Sequence, residues 1–568
     1  MTTLATTTIH DHDAANAAWW RHAVIYQIYP RSFADSDGSG IGDLPGARAK
    51  LPYLKALGVD AVWFSPFYVS PQHDAGYDVA DYRDIDPLFG SLADFEGLIA
   101  DADAAGLKVI VDLVPNHSSS EHPWFQAALA AGPGSPERER YMFRNGRGEN
   151  GELPPNNWKS VFGGPGWTRV TETDGSLGQW YLHIFDVTQP DLNWEHPDVR
   201  QEFLDILDFW VQRGVAGFRV DVAHGLVKDP ALPDWDGELE LLGPEDEERP
   251  TSDAPMWDKD GVHDIYQSWR ALLDSYGEPD RILCAEAWVN PPERAALYIR
   301  HDEFHQAFNF DFLECPWRAA DLYAVIAKSL EVCDSVGAPA TWVLSNHDVV
   351  RHASRLALPI GERRPNGIGA ADPQPDQALG LRRARAATTL MLALPGSAYL
   401  CQGEELGLPE ATALPDDLRE DPVYLRTGGK ELGRDGCRVP LPWVAGEPGL
   451  GFGPGGKTWL PQPTSYAALA ADLQVGVDGS TLELYRALLR TRAERELGLG
   501  SLARVDGLGD DIVAYVNSGL NDRFPTLVLL NLGSDAARLP DGAEVLVASG
   551  ELTADGLVPT DTAIWARI

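Results

Sequence analysis

The chain has 568 residues, 44% of them apolar and 23% charged, too long for one hydrophobic core and ordinary in composition for a multi-domain soluble enzyme. It carries 46 basic and 85 acidic residues, a formal net charge of −39, which excludes the basic footprint of a nucleic-acid binder and attraction to an anionic membrane surface. Five widely spaced cysteines (Cys284, Cys315, Cys333, Cys401 and Cys437) include no CxxC pair, so neither a disulfide framework nor a zinc site is indicated.

Residues 1–18 contain Asp11, Asp13 and two histidines and no apolar core, and read as a disordered tail without a signal peptide. No apolar run reaches the ~18–20 residues that span a bilayer. The expectation is a soluble, cytoplasmic protein.

Residues 23–29 (AVIYQIY) read as a first strand. The next stretch, 35–43 (DSDGSGIGD), repeats oxygen side chains at every second position with glycines between them. That spacing can wrap a hard cation, Ca2+ above all, and the candidate ligands are Asp35, Asp37, Ser39, the Ile41 carbonyl and Asp43. An amphipathic helix over 51–57 stops at Gly58, and 59–65 (VDAVWFS) is the second strand. The loop after it holds Asp74 and Tyr77. A helix over 94–105 leads to a third strand, 108–113 (KVIVDL), which ends in Val-Pro-Asn116-His117.

The strand–helix rhythm then breaks for about seventy residues rich in Gly, Pro, Asn and Trp, too long for a structureless loop. Residues 118–185 read as a small domain inserted after strand three. A helix over 198–212 feeds the fourth strand, which runs into Gly217-Phe-Arg219-Val-Asp221. Arg219 and Asp221 are two apart and so share one side of the strand. An arginine inside an apolar run needs an anionic partner. The expectation is that Arg219 keeps Asp221 ionised at the strand's carboxyl end.

Residues 226–263 are acidic and Pro-rich and read as a long loop over the catalytic face. Strands follow at 281–285 (ending at Glu286), 304–310, 341–344 (followed by Asn346-His347-Asp348) and 397–401. Eight strands with helices between most of them make a (β/α)8 TIM barrel, split into residues 19–117 and 186–497 by the insertion. Residues 498–568 lose helical periodicity and read as a C-terminal antiparallel β-sandwich.

Asp221, Glu286 and Asp348 all fall at strand ends, beside Arg219, His117 and His347. The chemistry that needs such a set is glycoside hydrolysis with retention: an ionised carboxylate attacks the anomeric carbon, and a protonated one serves the leaving oxygen. An apolar strand before Glu286 and Trp288 after it are surroundings that keep a carboxyl protonated.

These motifs resemble the α-amylase superfamily of glycoside hydrolases, in its α-glucosidase and oligo-1,6-glucosidase branch. The resemblance rests on residues 112–117 (DLVPNH), 217–221 (GFRVD), Glu286, 346–348 (NHD), 26–33 (YQIYPRSF), 189–193 (QPDLN) and 402–405 (QGEE). It implies a catalytic barrel, an inserted B domain and a C-terminal β domain. It implies Asp221 as nucleophile, Glu286 as acid/base and Asp348 as the carboxylate that grips sugar hydroxyls. Asp74, Tyr77, His117, Arg219 and His347 match residues lining the subsite of the non-reducing glucose, and the segment 433–440 supplies an arginine there, Arg434 in preference to Arg438. The implied activity is an exo-α-glucosidase on short α-glucosides, with transglucosylation as a side reaction. Oligo-1,6-glucosidase is one alternative, because Val222 matches relatives cutting α-1,6 bonds while Ala223-His224-Gly225 matches those preferring α-1,4; a trehalose synthase-like isomerase of the same fold is the other. The implied partner is a small oligosaccharide; nothing in the sequence sets an oligomeric state.

Overall fold

The structure is a computed structural model and describes residues 5–11, 17–237, 254–360 and 366–568. Eight parallel strands build its centre: β1 (Val24–Ile28), β2 (Ala61–Phe64), β3 (Lys108–Leu113), β4 (Gly217–Val220), β5 (Ile282–Ala285), β6 (Gln306–Ala307), β7 (Thr341–Val343) and β8 (Ser397–Cys401). Each pairs with its sequence neighbours, and β8 pairs with β1. Among the described residues only the β6/β7 seam lacks a ladder. There the Asn309 N–H donates to the Thr341 carbonyl at 3.0 Å, so the barrel is nearly closed.

Side chains alternate between two cores, as a strand period of two requires. Ile25, Ala61, Trp63, Ile110, Ile282, Cys284, Val343 and Tyr399 cluster together in one core. Their neighbours Val24, Tyr26, Val62, Phe64, Val109 and Val111 join the larger cluster shared with helices such as Leu92–Ala104 and Pro197–Val211. Burial on both faces is why these strands read as unbroken apolar runs.

β6 is shorter than the sequence run 304–310 suggests. Phe308 and Phe310 turn into the cluster of Ile25 and Trp63, while the Asn309 side chain accepts the Phe312 N–H at 2.9 Å and starts the helix Phe310–Glu314.

The stretch after His117 forms the helices Pro123–Ala131 and Pro136–Glu139 and a three-stranded antiparallel sheet. Leu177–Leu182 is its central strand, between Phe143–Arg144 and Trp167–Thr171. Its apolar residues Trp158, Phe162 and Ile184 pack with Val222, Met256 and Val423 from barrel loops. The insertion is therefore packed onto the mouth of the barrel. The long loop after β4 lies partly outside the described residues, at 238–253. Its described part is latched to the insertion: Arg147 Nη1 donates to Asp234 at 2.8 Å, and Trp158 Nε1 to the Pro233 carbonyl at 2.8 Å.

Two expectations change at the chain ends. Residues 6–10 are not a tail: Thr6–His10 pairs antiparallel with Leu502–Val505 and extends the C-terminal sheet. Its polar threonines suit a strand exposed on both faces, which gave no apolar alternation to read. The C-terminal unit is one six-stranded antiparallel sheet rather than two facing sheets. One face (Val513, Tyr515, Val528, Trp565) packs on the barrel's helical layer. Loop residues Ala537 and Val558 pack with the other (Ala514, Leu527, Ile564) and make a single bridge in place of a second sheet. Among the described residues no helix is long and apolar enough to cross a membrane.

Candidate active site

Arg219 on β4 is 1% exposed and stands in register with Asp112 on β3. A buried guanidinium is tolerable only with its charge and hydrogen bonds answered. Nη1 donates to Asp112 Oδ1 at 3.0 Å and to Asp221 Oδ1 at 2.7 Å, and Nη2 lies 2.7 Å from Glu286 Oε2. One guanidinium thus holds together the carboxyl ends of β3, β4 and β5. Asp112 also accepts from Trp63 Nε1 and the Tyr77 hydroxyl, both at 3.2 Å. Burial lifts Asp112 to about 7 against the pull of Arg219.

Arg219, expected to keep Asp221 ionised, pulls that way against two opposing influences. Burial and the neighbouring Glu286 charge raise Asp221 well above the ordinary aspartate range, and Arg219 only opposes them. Asp221 and Glu286 sit side by side on the one guanidinium, each 2.7 Å from an Arg219 nitrogen. Three donors converge on Glu286: Arg219 Nη2, the Val222 N–H at 3.1 Å and Trp288 Nε1 at 3.1 Å. The Val222 N–H is aimed there by a left-handed backbone, φ 45°, costly for a β-branched residue.

Asp348, beyond β7, takes Arg438 Nη2 at 2.8 Å and Arg434 Nη1 at 3.1 Å, with His347 Nε2 3.2 Å away. Burial opposes its ionisation, but the surrounding cations hold it well below the usual range. His347 itself is driven well below its ordinary value by burial and is neutral at pH 7, so the two arginines carry that effect. Gln27 of β1 donates to His347 Nδ1 at 2.6 Å, which leaves the proton on Nε2, beside the Tyr77 hydroxyl at 2.6 Å. The Tyr77 ring stacks on the imidazole at 5.3 Å and 7°.

Arg434 ties together the acidic side chains beyond Asp348. It donates to Asp421 at 2.6 Å, Asp74 at 2.8 Å and Asp348, and lies 5.1 Å from the Phe162 ring of the insertion. Gln189 Nε2 holds the second oxygen of Asp74 at 3.1 Å. His117 has both nitrogens engaged: Asn116 Nδ2 lies 3.1 Å from Nδ1, and Nε2 lies 3.1 Å from the Tyr77 carbonyl. Burial lowers it to about 4, so it is neutral, and any sugar contact must share Nε2–H with Tyr77.

All nine residues expected at the site are therefore linked in one network. Asp112, Gln27 and Asp421 join the network without being expected there, and Arg438 reaches Asp348 alongside the expected Arg434. Asp112 and Gln27 carried a signal, a polar residue inside an apolar strand run. Asp421 carried none.

In the loop before the helix Leu44–Ala49, carboxylate oxygens of Asp35, Asp37 and Asp43 lie within 4.8 Å of one another. Ser39 Oγ donates to the Ile41 carbonyl at 3.2 Å beside them. All these donors are hard oxygens, a set that fits a hard cation. Asp35 also accepts N–H groups of Asp37, Gly38 and Gly40, and Asp43 caps the helix through the Gly46 N–H at 2.6 Å.

Two buried carboxyls on one guanidinium, beside a third carboxylate held strongly ionised at the carboxyl end of a parallel barrel, are the equipment of an enzyme that cleaves glycosidic bonds. The α-amylase catalytic-domain model matches residues 27–499, and the chain belongs to that family of glycoside hydrolases. A probable α-glucosidase of Rhizobium meliloti (strain 1021) is 36% identical over 537 residues, 91% of this chain and 90% of that protein. An oligo-1,6-glucosidase of Parageobacillus thermoglucosidasius is 33% identical over 558 residues, 92% of each. Among solved structures, the α-glucosyl transfer enzyme XgtA superposes with a TM-score of 0.81 at 35% identity, covering 97% of this chain and 99% of its own.

Proposed function

We propose that this protein is a retaining, exo-acting α-glucosidase that releases glucose from the non-reducing end of maltose and short malto-oligosaccharides. The observation that carries the reading is the Arg434 bridge. Arg434 joins Asp74, Asp348 and Asp421 and faces Phe162, and in this reading that bridge would close the space behind the first sugar. A chain continuing past that sugar would meet a buried ion-pair wall. Leaving polar groups of that wall unpaired costs about 1–3 kcal/mol each.

In this reading Asp221 attacks the anomeric carbon and Glu286 gives its proton to the departing glycosidic oxygen. Glu286 then takes a proton from water, whose oxygen displaces Asp221 and returns the α anomer. A sugar hydroxyl in place of that water gives transglucosylation. The strongly ionised Asp348 beside this pair of carboxyls favours an oxocarbenium-like transition state. The α-1,4 preference rests on the likeness of Ala223 and His224 alone.

We further assign Ca2+, or another hard cation, to Asp35, Asp37, Ser39, Ile41 and Asp43. There it would fix the loop from β1 to the helix Leu44–Ala49 and take no part in the chemistry. The test of the main reading is kcat/KM on maltose, isomaltose, sucrose, trehalose and soluble starch. Maltose should lead and starch should trail well behind. Equal rates on starch and maltose overturn the closed pocket, whereas a lead for isomaltose overturns only the linkage.

A further inference from the structure

Trp288 follows β5 by three residues. Its indole N–H donates to Glu286 Oε1 at 3.1 Å. Its ring lies face to face with Phe310, centroids 3.6 Å apart and planes within 4°. Phe310 is 4% exposed and belongs to the cluster of Ile25 and Trp63, so the indole is fixed by the barrel itself. The other two donors to Glu286, Arg219 Nη2 and the Val222 N–H, both come from the β4 end and reach Oε2. Trp288 alone among the named donors holds Oε1.

We propose that Trp288 is a positioning residue for Glu286: its N–H stabilises the ionised carboxylate and thereby eases release of the proton to the leaving sugar. This rests on Glu286 being the proton donor. A donor to the charged form matters most where that form is buried, and Glu286 is 8% exposed. The charged and titratable groups facing Glu286 are Arg219 of β4, Asp221 just after it, Asp112 of β3, Cys284 of β5 and His224 of the loop after β4.

Removing the N–H makes the Glu286 proton harder to give up. Activity that requires that proton is lost as pH rises, so the alkaline limb of kcat/KM on maltose should move to higher pH, by about one unit. The rate on maltose at pH 7 should fall roughly tenfold. α-Glucosyl fluoride leaves without a proton, so its kcat/KM should stay within about twofold.

The experiment compares wild type, Trp288→Phe, and the chain with β-(3-benzothienyl)alanine at 288. The last keeps the indole's shape and its stack on Phe310 but has no N–H, so a folding defect in Trp288→Phe does not decide the matter. Glu286→Gln is the control. It should lose maltose turnover and keep kcat/KM on the fluoride, and if it loses neither or both, Glu286 is not the donor and the inference falls with that reading. If the control behaves, an unmoved alkaline limb in the benzothienyl chain, or equal losses on both substrates, reduces Trp288 to packing and overturns the proposal alone.

Discussion

At the scale of single residues, Asp221→Asn and Glu286→Gln should each lower kcat on maltose by roughly 10³-fold or more, with circular dichroism and thermal midpoint near wild type. Both changes keep the hydrogen-bonding shape around Arg219 while removing a charge or a proton donor. Wild-type turnover in either folded variant removes the assignment. The product first seen by NMR should be α-glucose, and an initial β anomer would rule out double displacement. Arg434→Lys should raise KM for maltose about tenfold, because an ammonium cannot reproduce a fork that serves three carboxylates. Much of this was readable: Arg219 in the run before Asp221 demanded a partner, and Asp112 in KVIVDL was the same anomaly on the adjacent strand. That the two are one ion pair depends on the register of β3 against β4, which no local pattern encodes. The sharing of Arg219 between Asp221 and Glu286 was illegible for the same reason, since β5 lies beyond the long loop.

At the scale of elements, two devices are open to test. Chelator should lower the melting temperature and added Ca2+ should restore it, since a cation bound only to the folded loop stabilises by about 2.7 kcal/mol at a hundredfold excess over Kd. Asp37→Ala should abolish that response, and a wild-type midpoint indifferent to chelator would leave the loop a turn. The second device is the end of β8. Glu404 is buried, accepts the Cys401 N–H at 3.0 Å, and is raised by burial to about 8. Its folded value exceeds its unfolded one, so its contribution is fully present below the unfolded value near 4.5 and is lost as pH rises toward 8. Glu404→Gln, a neutral mimic, should match wild type in melting temperature at pH 5 and exceed it increasingly up to pH 9. A constant offset across that range would refute the burial argument. The strands themselves were legible because burial on both faces forces unbroken apolar runs. β6 was overread because Phe308 and Phe310 are apolar for the inner core and not for a ladder.

At the scale of the whole molecule, the N-terminal strand joins parts that lie far apart in sequence. Thr6–His10 caps the edge of the C-terminal sheet at Leu502–Val505, and His10 Nδ1 lies 2.9 Å from Asp334 on the helix Ala319–Ser335 beside the barrel. An uncapped edge presents unpaired backbone groups and invites pairing with another chain. Deleting residues 1–10 should therefore lower the melting temperature by about 2–4 °C and raise aggregation on heating. kcat/KM on maltose at 25 °C should stay within about twofold, because the carboxylate site sits at the other end of the barrel from the β7 and β8 entrances that this strand borders. An unchanged midpoint would make the strand dispensable; a large loss of activity without loss of stability would mean that the C-terminal sheet bears on the pocket through the helices it packs against. His10→Ala separates the two attachments: it removes the tie to Asp334 and leaves the edge ladder, so it should reproduce only a small part of the shift.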